Sequence, residues 1–186
     1  MRYFKLTFII LVLGFAAVTF MCPNLTVASS AEKLDADARI VLEKLYEKSN
    51  TAKALGEKAK GILVFPSITK GGFIVGGQYG KGALLQDGKT TGYYNTIQGS
   101  WGLQAGLQKY GYALFLMTDS SVKYLDKSDG WEVGVGPTIT IVDAGVSGSA
   151  TTTTLKSEIY AFFFSQKGLM AGLGIQGTKI SKISLK

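Results

Sequence analysis

Gly71-Gly72-Phe73-Ile74-Val75-Gly76-Gly77-Gln78-Tyr79-Gly80-Lys81-Gly82 carries the strongest fold signal in the chain. Its aromatic and β-branched residues favour a strand. Its glycines weaken one, and are used where a strand bulges, coils sharply or lies close to another backbone. All but one of the 24 glycines fall between Gly56 and Gly177, so the same texture runs through most of the chain. That density predicts a strongly curved sheet or partial barrel. No segment recurs at a fixed period, which argues against a solenoid.

Just upstream, Ile62-Leu63-Val64-Phe65 predicts a short buried strand that Pro66 stops. Residues 71–85, 91–98, 101–109, 110–117, 131–142, 151–164 and 169–183 read as further strands, with Asp87-Gly88 and Asp129-Gly130 as turns. Nearer the N-terminus, residues 32–55 read as a helix with Ala38, Val41, Leu42, Leu45 and Ala52 on one face. Asp35 and Asp37 suit its start, and Gly56 is its expected C-cap. Residues 120–127 read as a second, short helix with Val122 and Leu125 inward and Ser120 or Asp119 as N-cap. The fold class expected is α+β. An N-terminal amphipathic helix packs on a curved, Gly-rich, mainly antiparallel sheet, a meander interrupted by the short helix.

The first residues read as an address. Arg2 and Lys5 precede an uncharged apolar run from Leu6 to Met21, and small residues Ser29 and Ala31 stand beyond it at cleavage-site spacing. This is the pattern of a secretory signal peptide over residues 1–31, leaving one domain over residues 32–186. Cleavage is expected after Ala31 or Ser29; an uncleaved anchor is the rival reading. Removing residues 1–31 takes Arg2 and Lys5 and no acid, lowering the formal net charge from +7 to +5. It also takes Cys22, the only cysteine.

The 186 residues contain no histidine. A histidine-based triad, a His or multi-Cys zinc site and a disulfide framework are therefore excluded. Gly172 to Gly177 matches G-x-G-x-x-G, but the residues after it alternate like a strand and supply neither the helix nor the acid a dinucleotide site needs. Gly80-Lys81-Gly82 lacks the remainder of a phosphate loop. Gly145 to Ser149 is no nucleophile elbow. Asp126 to Gly130 has the wrong offsets for an EF-hand and reads as a solvated turn. Tyr93, Tyr94, Trp101, Tyr110, Tyr112, Trp131 and the run from Tyr160 to Phe164 read as core, with an interfacial belt as the alternative. The bases are not interleaved with these aromatics, so no nucleic-acid partner is expected.

Several separated blocks resemble the SYLF domain family. They are Ala59-Lys60-Gly61-Ile62-Leu63-Val64-Phe65-Pro66, Lys70 to Gly77, Tyr79 to Gly82, Gly102 to Gly106, Gly134 to Pro137, Ile159-Tyr160-Ala161 and Gln166 to Gly172. In order, they extend the resemblance from about Ala36 to Ile183. Eukaryotic relatives bind phosphoinositide membranes, and some bind and bundle actin; exported bacterial members are described as lipid-binding. The resemblance implies a noncatalytic phospholipid-binding domain of the bacterial cell envelope, in the periplasm or secreted. An export signal points away from actin.

The net positive charge favours an anionic membrane as partner. Charge and placement alone single out Lys44, Lys48, Lys53, Lys58, Lys60 and Lys70 as lipid-binding candidates. No cofactor, metal or catalytic residue is expected. Two other classes remain open. One is a small outer-membrane β-barrel, opposed by the helical start. The other is an enzyme in which acids such as Asp119, Asp143 and Glu158 pair in space.

Overall fold

The computed structural model describes residues 29–72, 75–101, 106–126, 131–132, 136–142, 157–164 and 177–185. Helices α1 (Ser30–Lys48) and α2 (Asn50–Gly56) precede strands β1 (Gly61–Gly72), β2 (Val75–Gln86), β3 (Lys89–Trp101) and β4 (Gly106–Leu116). Helix α3 (Asp119–Asp126) and strands β5 (Trp131–Glu132), β6 (Ile139–Val142), β7 (Ile159–Phe164) and β8 (Lys179–Ile183) complete the order. The α+β class and the N-terminal helix match the sequence expectation.

The strands form one sheet in the order β5-β8-β3-β2-β1-β4-β7-β6. Every pair is antiparallel except β6 with β7. The expected meander holds only for β1 to β3. Strand β4 returns to the free side of β1, which is Greek-key order. Curvature is imposed by connectivity. The edge strands β5 and β6 are separated by residues 133–138, a link that reaches at most about 25 Å. A flat sheet of eight strands is about 34 Å wide. The sheet must therefore curl its edges toward each other. It stays open, with no β5–β6 pairing among the described residues.

Alternation along β1 supplies both faces of the sheet. Leu63, Phe65 and Ile68 point inward with Tyr112, Leu114, Phe163 and Ile180, closed over by Val122 and Leu125 of α3. Ile62 and Val64 point outward with Ala83, Leu85, Ala113, Phe115, Tyr160 and Phe162, under Leu34, Ala38, Leu42 and Leu45 of α1 and Leu55 of α2. Rings mesh on both sides: Phe65 with Tyr112 at 4.9 Å and Tyr112 with Phe163 at 5.6 Å inside, Phe115 with Phe162 at 5.1 Å outside. Of the aromatics read as core, Tyr94, Tyr110, Tyr112, Tyr160, Phe162 and Phe163 are buried. Next to the inner rings lies a satisfied polar layer. Tyr110 donates to Gln78 Oε1, Gln78 Nε2 donates to Thr178 at 3.2 Å, and Tyr112 shares a hydrogen bond with Thr96 at 2.9 Å.

Several local expectations need correction. Pro66 does not end β1. Both registers jump around it, so the residue without an N–H has no partner to lose. The single helix is two, because Ser49 is extended and caps α2 through Ala52 N. Gly56 is not a C-cap: it lies inside α2, where the Tyr46 ring occupies the space of a side chain. Helix α1 begins earlier than expected, at a capping box in which Ser29 and Glu32 bond each other's backbone N–H. Asp35 instead accepts from Tyr93 OH. The N-cap of α3 is Thr118, whose hydroxyl accepts from Ser121 N at 3.1 Å. The expected strands at residues 101–109 and 110–117 are reapportioned: Trp101 ends β3 and β4 is continuous from Gly106. The Asp87-Gly88 turn is as expected, with φ of 48° and 72°. Residues 1–28, the threonine run 151–154, the Asp129-Gly130 turn and all of the G-x-G-x-x-G stretch except Gly177 lie outside the described residues.

Helix α3 is tied to the last strand by Asp126, which accepts from Lys182 Nζ at 2.7 Å and Tyr94 OH at 3.0 Å. The Lys182 bond is the main reason its carboxyl is held below the ordinary 3.8. Its contribution is thus complete above that range and lost as the pH falls through the lowered value. The stability gap between wild type and Asp126→Asn in urea melts should shrink from neutral to strongly acid pH.

A second prediction tests the curl. A Cβ at Gly82 would lie 2.6 Å from the Phe65 ring and 2.7 Å from Val64 O, whereas one at Gly99 meets nothing within 4 Å. Gly82→Ala should lower the thermal midpoint by roughly 3–10 °C, and Gly99→Ala should leave it unchanged or slightly raised.

Candidate functional site

The helices cover only half of the outer face. Beyond the Pro66 bulge the same face continues bare, and the register sets its side chains in rows. One row runs Lys179, Ile97, Tyr79, Thr69, Lys109 across β8, β3, β2, β1 and β4. On the helix side of it lie Ser181, Asn95, Lys81 and Ser67. On the other side lie Gly99, Gly77, Gly71 and Leu107. Tyr79 is 47% exposed, Ile97 48% and Leu107 73%. Leu107 stands clear beside Gly71, its partner on β1, which offers no side chain to lean on, and Gly77 lies next along the row.

Charge is unevenly spread along the strands. Lys81, Lys109 and Lys179 are exposed on the bare face, and its described acid is Glu132, opposite Lys179 at the β5 edge. Asp87, Asp119 and Glu158 lie toward the opposite end, at the β2–β3 turn and beside the end of β4. The helical layer is close to neutral, since Glu32, Asp35, Asp37, Glu43, Glu47 and Glu57 are interleaved with its bases.

The lysines singled out from the sequence do not form one group. Lys44 and Lys48 are exposed on α1, four residues apart, and Lys53, Lys58 and Lys60 are exposed on and after α2. Lys60 N donates to Leu116 O, fixing the entry to β1. Lys70 is at the far end of β1 and on the other side of the sheet, half-buried between Gln78 and Gln108. Lys81, Lys109 and Lys179 were legible only as scattered bases, because their proximity comes from strand register.

A cleft of about 360 Å³ lies between the α1–α2 corner and the β2–β3 turn, lined by Arg39, Glu43, Tyr46, Glu57 and Asp87 among others. Arg39 donates to Gly88 O at 2.8 Å, bracing the turn against α1. Burial, and then Glu57, push the Tyr46 phenol up to about 12, so it is uncharged at neutral pH. With one base against three acids, this cleft is poorly suited to an anion. Asp119 and Glu158 both border the β4–α3 junction, where Glu158 accepts from Ser120 at 3.5 Å; Asp143 lies outside the described residues. Among the described residues, no three or more acids, histidines or cysteines converge as a metal site would require.

Residues 97–184, from the end of β3 through β8, match the family model described as Ysc84, Las17-binding protein actin regulator. No curated protein matches the chain.

Proposed function

We propose, from the premise that residues 97–184 make this chain a member of the SYLF family, that it is a noncatalytic module of the bacterial cell envelope that docks on anionic phospholipid. The family is linked to actin and lipid binding. The observation that carries the choice of lipid is the charge segregation: Lys81, Lys109 and Lys179 share one face, with Glu132 as its described acid. Each lysine held near an anionic bilayer contributes about 1 kcal/mol, and the attraction fades with salt. The near-neutral helical layer adds little to this, so the sheet lysines carry more of the reading than Lys44, Lys48, Lys53, Lys58 and Lys60. Export through residues 1–31 would bring the domain to the envelope.

A protein-binding role is the second reading, favoured by the actin-regulator description of the matched family. Among the described residues the sheet is open and its interior is a packed apolar core, which does not favour a transmembrane barrel.

Co-sedimentation with vesicles tests the proposal. Binding should rise with phosphatidylglycerol content and fall with salt. The Lys81→Glu/Lys109→Glu double variant should partition at least about tenfold more weakly while melting like wild type. Equal partitioning into neutral phosphatidylcholine vesicles, or no binding at all, would overturn it.

A further inference from the structure

We infer that the bare outer face of β1 to β4, centred on Tyr79, Ile97 and Leu107 and floored by glycine, is the surface that enters the interface of an anionic bilayer. This rests on the lipid reading above and adds to it the element that inserts and its orientation: the sheet lies against the membrane, with the helices to one side.

Three independent observations converge on this face. The first is chemical. A tyrosine and two aliphatic side chains stand in solvent on the bare strands, bordered by Lys81 and Lys109. A tyrosine with an apolar ring and a polar tip suits the headgroup boundary, and lysines above an apolar patch suit lipid phosphate. No acid lies in the β1–β4 part of the three rows, so charge complementarity favours an anionic bilayer over a second copy carrying the same lysines.

The second concerns glycine. Gly80 and Gly82 are demanded by close inward contacts. Gly77 and Gly99 are not: neither has positive φ, a Cβ at Gly99 meets nothing within 4 Å, and one at Gly77 only touches Gln98 O at 3.4 Å. Glycine without a steric reason weakens a strand, and besides bulges and bends its recurrent use in strands is where a ligand or another backbone approaches closely. Gly71, Gly77 and Gly99 make a strip of bare backbone beside Leu107.

The third is hydrogen bonding. Strands β1 and β2 are paired on both sides here, so the backbone under Tyr79 and Gly77 has its partners and can lie near hydrocarbon without unsatisfied groups.

The test uses the full chain with Tyr79→Trp as the single reporter in a Trp101→Phe/Trp131→Phe background, and vesicles of phosphatidylglycerol, plain or carrying bromine on the acyl chains. The reporter should shift to the blue on binding and be quenched by the brominated lipid. Leu107→Asp and Gly99→Glu, both at open positions, should melt like wild type yet partition roughly tenfold more weakly with every lysine retained. Sedimentation with the vesicles but no quenching, and unweakened binding by Leu107→Asp, would overturn the insertion face while leaving lipid docking intact. Failure of the unaltered chain to sediment would instead remove the lipid reading. A blue-shifted reporter without vesicles, in a dimer that Leu107→Asp dissociates, would also overturn it by assigning the face to a second copy.

Discussion

Ile68 and Phe65 occupy the space that side chains at Gly80 and Gly82 would need, and the shape of the molecule depends on that contact. Because β2 is bare on its inner side there, β1 can press close and the sheet can curl. The curl brings the two edges within reach of residues 133–138 and encloses the inner rings. Burying Leu63 and Val64 on opposite faces puts β1, like its neighbours β2 and β4, in both cores. It also explains the unbroken apolar run from Ile62 to Phe65, which a strand buried on one face only would alternate with polar residues.

How much was legible depended on the range of the interaction. The α1 stripe, the Asp87-Gly88 turn and the inward Val122 and Leu125 are set by local periodicity and backbone preference, and they appear where the sequence puts them. Pro66 misled because a lost N–H matters only if a neighbour needs it, and a two-sided bulge removes the need. Gly56 misled because the ring against it belongs to Tyr46, ten residues earlier in sequence but adjacent across the helix corner. The return of β4 to β1 is a non-local choice that no window of residues encodes.

The same distinction governs the candidate surface. Lysines on a helix advertise themselves by spacing, and those on α1 and α2 were easy to see. Their interleaved acids leave that layer with little field of its own. Lys81, Lys109 and Lys179 are far apart in sequence and meet only through register, in company with Tyr79 and Ile97. The apolar excess that composition reports is likewise uninformative until the sheet shows which residues the helices fail to cover.

Strand β8 ties the closing of the inner core to a segment far along the chain. It follows β6 and β7 in sequence, yet among the described residues it pairs with β3 and not with either of them. From there it supplies Ile180 to the inner core and Lys182 to Asp126. A nascent chain therefore cannot close its interior before residues 179–183 emerge. Until then β3 keeps an open edge, and a chain released early would carry that edge into a crowded compartment as a template for mispairing.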